Sequence, residues 1–349
     1  METLSPNPAA IRAALNDSPK QRERDIATRL GIAEAQLVAA RTGHGVTRIT
    51  ADPDRIMPAA TGLGEVMALT RNTSCVHEKV GVYDNYHSGQ HASMILNDAI
   101  DLRIFPKYWV HGFMVEKETE AGPRRSIQVF DAAGDAVHKI HLREASDLDA
   151  WARLKTELAS GETADSLAVE PRQPVEAAKA NPEKAAELRT AWDRMTDTHQ
   201  FLRLCSKLKM NRLGAYRLAG APYARALAPA AVDQMLYAVR DQGIAIMYFV
   251  GNRGCIQIHS GPIHTLKEMG PWQNVLDPGF DMHLRRDHVA EVWAVEKPTQ
   301  RGPVQSVEAF DAEGGLIFQA FPVPKGEQES RPQWAEIFAG LAPLATEVA

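Results

Sequence analysis

One histidine in this sequence stands where a helix is predicted to begin. His199 lies in the run MTDTHQFLRL, residues 195–204. An imidazole there could cap the helix, pack into a core or offer a nitrogen lone pair to a metal. A solvated or hydrogen-bonded role is the commonest one for an isolated histidine of this kind. The rest of the chain has to decide between these roles.

Two other histidine pairs lack the geometry of a metal site. His87 and His91 would share a face only on a helix, and Gly89 between them favours a loop. His138 and His141 lie in a predicted strand, where residues three apart point to opposite faces. We expect zinc at neither pair.

Composition restricts the class of protein. The 349 residues suffice for two domains, and the hydrophobic and charged fractions, 44% and 24%, are typical of globular proteins. A net charge of -5 argues against a nucleic-acid partner. The N-terminal sequence has no basic stretch followed by an apolar run, and no later window reaches the ~20 apolar residues of a membrane span. We therefore expect a cytoplasmic protein without membrane insertion.

Sequence motifs exclude several further classes. The cysteines are scattered and form neither a CxxC zinc motif nor a CxxCH haem-attachment motif, so a disulfide framework is not indicated. GxSxG, P-loop and GxGxxG motifs are missing from the sequence, so hydrolase, NTPase and dinucleotide-binding functions have no motif to support them.

An internal repeat is the strongest organisational signal. Cys75 and Cys255 lie 180 positions apart in the similar runs NTSCV and NRGCI, and the same spacing relates Lys117 to Lys297. The Ala-, Glu- and Pro-rich segment 160–185 lies between the copies. We predict an N-terminal repeat over 1–160, a connector over 161–188 and a C-terminal repeat over 189–349.

Each repeat is predicted to begin with helices, over 17–40 and 197–220. Ser18 followed by Pro19 is a strong helix start, and the 180-residue spacing then makes Thr198 an N-cap residue and His199 the first helical residue. Strands are predicted at 66–70, 126–130, 244–250 and 290–295. Helices followed by antiparallel strands, twice over, indicate an α+β fold.

Differences between the copies mark candidate functional residues, because residues that both copies share are expected to serve the fold. Cys75 and Cys255 agree, so we interpret them as small core residues. Three polar positions differ at the 180-residue spacing: His199 against Pro19, Arg103 against His283, and Arg212 against Ile32.

At this point the motifs resemble a known family, the haemin-degrading factors (HemS/HmuS-like proteins of bacterial haem uptake), over nearly the whole chain. The resemblance rests on RNTSCVHE at 71–78, DLRIF at 101–105, TDTHQF at 196–201 and HLRRDHVAEVW at 283–293, which continues into the segment around Lys297. It implies two similar halves, each a large antiparallel sheet flanked by helices, and one noncovalent haem in a cleft reached by both.

The resemblance also implies a role for particular residues. His199 would be the proximal iron ligand, and Arg103 the distal arginine, with both taking part in any catalysis. Arg212 and Lys297 would bind the haem propionates, although Lys117 at the matching place also allows Lys297 a purely structural role. The family would have more basic residues than the segment QAFPVPKG at 319–326 provides, and Lys325 is only a weak substitute.

Elementary chemistry fits these roles. A neutral imidazole is a good axial ligand, whereas the permanently protonated Arg103 can only donate hydrogen bonds, for example to water, hydroxide or dioxygen on the open side of the iron. Propionates require cations such as Arg212 and Lys297.

The sequence leaves two functions open. One is an enzyme that opens the haem ring with a reductant such as NADPH and releases iron. The other is a carrier that receives haem from an ABC transporter and passes it to a separate haem oxygenase.

Overall fold

The computed structural model describes residues 7–120, 122–324, 326 and 328–345. The chain divides into two compact units. Of the described residues, the first unit holds those up to 71 with 77–173 and 251–257, and the second holds 72–76, 174–250 and those from 258 onward. Each unit therefore takes one short segment from the other half of the sequence. The division after residue 173 falls inside the predicted connector, of which residues 161–181 form neither helix nor strand.

The first unit contains five helices and a set of strands within its described residues. The helices are α1 (Pro8–Asn16), α2 (Glu23–Leu30), α3 (Glu34–Ala39), α4 (Pro53–Ala60) and α5 (Leu148–Leu158). The strands are β1 (Val46–Ile49), β2 (Val66–Arg71), β3 (Cys75–Gly81), β4 (Tyr86–His87), β5 (Ser93–Leu96), β6 (Asp101–Ile104), β7 (His111–Lys117), β8 (Arg124–Phe130) and β9 (Ala136–Leu142). The main strand order is β1-β7-β8-β9-β2-β3, and β6, β5 and β4 follow one another as neighbours.

The second unit repeats this plan. Its helices are α6 (Ala185–Asp193), α7 (Gln200–Lys207), α8 (Arg212–Ala219), α9 (Ala231–Gln242) and α10 (Arg331–Gly340). Its strands are β10 (Ala224–Leu227), β11 (Ile246–Gly251), β12 (Cys255–Gly261), β13 (Leu266–Met269), β14 (Trp272–Asp277), β15 (Phe280–Arg285), β16 (Glu291–Lys297), β17 (Val304–Phe310) and β18 (Leu316–Pro322). The order β10-β16-β17-β18-β11-β12 matches that of the first unit, and β15, β14 and β13 are again neighbours.

The α+β duplication predicted from the sequence is confirmed. Pairings such as β7 with β8 and β16 with β17 are antiparallel, and their registers correspond residue for residue. Phe113 lies opposite Gln128 in the first unit, and Trp293 lies opposite Glu308 in the second. The predicted strands all coincide with observed ones. Cys75, Cys205 and Cys255 are buried free thiols.

The helical starts differ from the prediction. Ser18 and Pro19 lie in the turn after α1, and α2 begins only at Glu23 with Arg22 at its N-cap. Pro19 has no backbone N–H with which to extend α1, whereas Glu23 and Asp25 suit the positive end of a new helix. Helix α7 begins at Gln200, which places His199 at the N-cap instead of Thr198.

This shift corrects two pairings between the copies. Aligned by their N-caps, His199 corresponds to Arg22, 177 positions away, and not to Pro19. Arg212 is the first residue of α8, as Glu34 is of α3, so Arg212 corresponds to Glu34 and not to Ile32. The spacing of 180 holds in the strands, because hydrogen-bonded register tolerates no insertion there, and fails in the helices joined by turns.

Apolar residues on one face of each helix fix it to its unit. In the first unit Ile56 of α4 and Trp151 of α5 join Ile127 and Ile140 of the sheet in one buried cluster. In the second unit a separate cluster holds α6, α7 and α8 against β16 and β17. No helix in the described ranges combines the length and apolar character that a membrane crossing requires.

Candidate functional site: an exposed histidine and a buried ion cluster

His199 lies at the exposed start of α7. Its backbone is helical, its side chain makes no capping hydrogen bond, and the side chain is 95% exposed. The preceding turn is organised by Asp197, whose Oδ1 accepts a hydrogen bond from the His199 backbone N–H at 2.8 Å. Aspartate commonly bonds the backbone two residues ahead in this way. The turn directs the imidazole away from the packed side of the helix.

The same Asp197 oxygen lies 2.7 Å from Nδ1 of His199. With Asp197 ionised, Nδ1 is the nitrogen that carries the proton and donates, which leaves the lone pair on Nε2. The backbone and side-chain hydrogen bonds from His199 lower the pKa of Asp197 below its ordinary value. A carboxylate that accepts a hydrogen bond from the non-coordinating ring nitrogen is a common partner of a metal-binding histidine. It fixes the tautomer and the orientation of the ring.

Phe201 fixes the beginning of α7 from the buried side. Its ring packs against Trp192 of α6, with centroids 4.6 Å apart, and stacks on Tyr216 of α8 at 5.4 Å. Cys205, one turn further on, is also buried. Because Phe201 is two residues from His199, this aromatic packing holds the helix start that presents the imidazole.

A buried ion cluster lies beneath Phe201. The carboxylate of Glu308 on β17 accepts hydrogen bonds from Arg212 Nη1 at 2.7 Å and Lys297 Nζ at 3.0 Å. It also accepts one from the Tyr216 hydroxyl at 2.9 Å, and this hydroxyl accepts one from Lys297 at 2.9 Å. The Lys297 ammonium lies 4.8 Å from the centre of the Phe201 ring. Electrostatic attraction to the ring therefore links the cluster to α7.

The charges in this cluster depend on one another. Burial favours a protonated Glu308, but Lys297 and Arg212 outweigh it and hold the pKa of Glu308 well below its usual range. Burial lowers the pKa of Lys297, and Glu308 opposes this effect. Burial also acts to lower the pKa of Arg212, but Glu308 raises it above its ordinary value. Two cations thus share one carboxylate, and removal of Glu308 would leave both without a counter-ion.

The two predicted propionate-binding residues differ in accessibility. The Arg212 side chain is 21% exposed, and its Nη1 bonds Glu308. The Lys297 side chain is only 6% exposed. Lys117, its counterpart at the end of β7, is 37% exposed and pairs with Glu23. Arg212 is therefore accessible to a ligand, whereas Lys297 is bound inside the cluster.

Arg103 lies on β6 of the first unit. Its register partner is Met94 of β5, as Asn274 of β14 is the partner of His283, so Arg103 and His283 occupy matching positions. The Arg103 guanidinium pairs with Asp101 two residues earlier, on the same face of the strand. Burial is the larger influence on Asp101 and raises its pKa, although Arg103 opposes this. The side chain of Arg103 remains about one-third exposed.

The other histidine pairs have the settings that the sequence predicts, with one difference. His138 lies on β9 and is buried, with Nδ1 2.8 Å from Thr70 Oγ1 and Nε2 2.5 Å from the Tyr83 hydroxyl. Burial lowers its pKa to about 3. Both of its ring nitrogens are thus engaged inside the unit. His87 ends the short strand β4, where a loop was predicted.

Three residues of the site were not predicted from the sequence. Asp197 could have been found, since an aspartate two residues before a candidate ligand can bond its inner nitrogen. Glu308 and Tyr216 could not, because nothing in the local sequence indicates that they meet Lys297 across elements. Lys325, the weak candidate, lies outside the described residues.

Fold and site together define a duplicated α+β protein that presents an imidazole, oriented by a carboxylate, at a helix start above a buried cationic cluster. A family model described as the haemin-degrading HemS.ChuX domain matches residues 31–158 and again 209–341. The chain belongs to this family, which confirms the resemblance recognised in the sequence.

Individual relatives match over nearly their full length. The hemin transport protein HmuS of Yersinia pestis is 38% identical over 93% of this chain and 94% of its own. The crystal structure of holo-PhuS, a heme-binding protein from Pseudomonas aeruginosa, is 41% identical, with a TM-score of 0.91 over 97% of this chain and 99% of that one. The structure of ChuS, an E. coli heme oxygenase, is 34% identical, with a TM-score of 0.86 over 95% and 99%.

Proposed function

We propose that the protein binds haem noncovalently in bacterial haem uptake and degrades it to release iron. The observation that carries this proposal is the exposed His199 imidazole, whose Nδ1 is held by Asp197 so that Nε2 is available as an axial ligand. Relatives described as heme-binding and as a heme oxygenase support the same conclusion.

Arg212 is the proposed propionate-binding residue, because its side chain is partly exposed and its guanidinium is held by Glu308. Lys297 was predicted for the same task. Its bonds to Glu308 and Tyr216 favour an internal role in supporting Arg212. Arg103 is proposed as a hydrogen-bond donor on the side of the haem opposite His199, where its permanent charge would stabilise negative charge that develops during reaction. Haem supplies the iron and the oxidisable ring. The protein supplies the axial ligand, the cations and the donor.

The second candidate function is a haem chaperone that gives haem to a separate haem oxygenase without turnover. The description of relatives as hemin transport proteins favours it. Both functions need the same axial histidine and cationic anchors, so fold alone does not separate them. In either case we propose a cytoplasmic location, with an ABC transporter as the donor of haem.

One experiment separates the two functions. Purified protein is loaded with haem and given NADPH with a reductase, or a chemical reductant, together with catalase to remove free peroxide. We expect the Soret band to disappear with stoichiometric release of iron. An intact Soret band, with transfer of haem to an added haem oxygenase, would establish the chaperone instead. Absence of any haem-dependent absorbance change on mixing would refute both.

A further inference from the structure

The ion cluster of the second unit has one more cation than it has anions. The ion pairs that the described residues make with Arg212 and with Lys297 both go to the single carboxylate of Glu308. Lys297 is enclosed, whereas Arg212 retains an exposed portion. Arg212 is therefore the more accessible of the two cations. One carboxylate from outside would balance the excess positive charge.

The first unit shows that the fold does not require an acid at the position of Glu308. Gln128 occupies the same register position, opposite Phe113, as Glu308 does opposite Trp293. Ser126 precedes Gln128 by two residues, as Ser306 precedes Glu308, and each serine bonds the side chain that follows. The strand register and a serine contact thus also occur with a neutral amide at this position. The charge of Glu308 is instead matched to the two cations with which it pairs, Arg212 and Lys297.

We propose that Glu308 is a positioning residue that holds the Arg212 guanidinium for one carboxylate of the ligand, with Lys297 as an internal counter-charge. Glu308 does not touch the ligand. Its buried carboxylate accepts a hydrogen bond from Nη1 of Arg212 and so fixes one part of a planar, multiply donating group of the kind that suits a carboxylate. Tyr216 and Lys297 fix the Glu308 carboxylate in turn. This inference rests on the proposed haem function and identifies what orients its anion-binding residue.

The test compares iron protoporphyrin IX, which has two free propionates, with its dimethyl ester, which has none. Both retain the iron for His199, so the ratio of their dissociation constants isolates the contribution of the carboxylates. We expect the parent protein to prefer the free acid and Arg212→Met to lose most of that preference. Glu308→Gln should lower the preference by about three- to tenfold, since a charge-assisted hydrogen bond is disoriented but not removed. Its Soret spectrum should remain that of the parent.

Two further variants separate positioning from simple damage. Glu308→Asp keeps the charge and should restore part of the preference. Glu34→Gln is the matched control in the first unit, where Glu34 is also buried, also begins a helix and also pairs with two cations, Arg71 and Lys139. It should disturb the fold to a comparable degree and leave the acid-to-ester ratio unchanged.

Several results would overturn the inference. One is that Glu308→Gln keeps the parental acid-to-ester ratio of dissociation constants while Arg212→Met loses it. Another is that Glu34→Gln lowers this ratio as much as Glu308→Gln does. A parent that binds acid and ester equally would also overturn it, while haem binding itself would stand. Failure of the parent to bind either porphyrin would instead refute the proposed function, which distinguishes the two failures.

Discussion

At the scale of single residues, His199 combines an Nδ1 that Asp197 holds in place with a ring that is exposed to solvent. His199→Ala should remove the axial bond and change the Soret position and the spin state of ferric haem. Binding should weaken but persist, because burial of the porphyrin and pairing of its propionates remain. Absorption and electron paramagnetic resonance spectra provide the measurement.

The exposed His87 gives a matched control, since its Nε2 lies 2.9 Å from Asn85 and its loss should leave the spectrum unchanged. If His199→Ala had the parental ferric spectrum, His199 would not be the ligand. Other histidines of the second half, such as His259, His264 and His283, would then be the next candidates.

A substitution of Asp197 tests how the His199 imidazole is oriented while the imidazole itself is kept. Asp197→Ala removes the acceptor for Nδ1 and the bond to the His199 backbone. We expect haem affinity to fall by about tenfold, the lower end of the range for partners of metal ligands, because this pair is exposed to water. The iron–histidine stretching frequency of the ferrous protein should fall as the imidazole becomes less basic. A parental frequency and affinity would show that Asp197 only shapes the turn.

A substitution of Arg103 separates its effect on haem retention from its effect on the rate of haem degradation. Arg103→Ala should leave the His199 bond in place and weaken haem retention by about one to two orders of magnitude if the lost charge-assisted hydrogen bond acts fully in binding. In an enzyme the larger loss should be in the rate of reductant-driven Soret decay, because the donor acts most strongly where negative charge develops. In a chaperone the larger effect should be a faster dissociation of haem to a scavenger. Parental values of both rates would exclude Arg103 from the site.

At the scale of elements, the strands were predictable and the helix starts were not. Alternating apolar residues and the spacing of 180 located β2, β8, β11 and β16, because side-chain alternation and register are set by the sequence itself. Ser18 and Pro19 had the residue types of a helix start but follow directly on α1, and a local motif carries no information about where the preceding helix ends.

The site was predictable only in part for the same reason. His199, Arg103 and Arg212 follow from short motifs that resemble a family. The pairing of Arg212 with Glu308 joins the start of α8 to the middle of β17. Such a contact between elements depends on tertiary packing, and a single sequence does not show it. The burial of Lys297 was hidden likewise, since its counterpart Lys117, in an otherwise equivalent strand, is 37% exposed.

The buried cluster around Glu34 predicts how stability depends on pH. Although burial opposes it, the charges of Lys139 and Arg71 lower the pKa of Glu34 from 4.5 to about 2. A carboxyl group whose pKa is lower in the folded state contributes stability above its unfolded pKa and loses this contribution as pH falls. Between about pH 4.5 and 2 the parent should therefore lose stability more steeply than Glu34→Gln. Urea unfolding across this range measures the difference, and equal slopes would contradict the prediction.

At the scale of the whole molecule, duplication preserved the architecture and changed its chemistry. Both units carry a helix that starts beside a buried ion cluster, but the charge of the residue at the helix start is reversed. The first residue of α3 is the acid Glu34, paired with two cations, and the first residue of α8 is the cation Arg212, paired with Glu308. Both arrangements hold one carboxylate between two cations, but only in the second is the residue at the helix start itself a cation.

One haem per chain is the resulting expectation, despite the two similar units. The residue of the first unit that corresponds to His199 is Arg22, and a permanently protonated guanidinium has no lone pair for iron. Gln128 replaces Glu308, and Glu34 replaces Arg212, so the anion-binding arrangement is also missing at the matching place. Titration with haemin, followed at the Soret band and by iron analysis after gel filtration, should saturate at one equivalent. His199→Ala, titrated beside the parent, should lose the high-affinity equivalent without exposing another. A second equivalent of comparable affinity in the parent would show that the first unit binds haem through residues outside the matching positions.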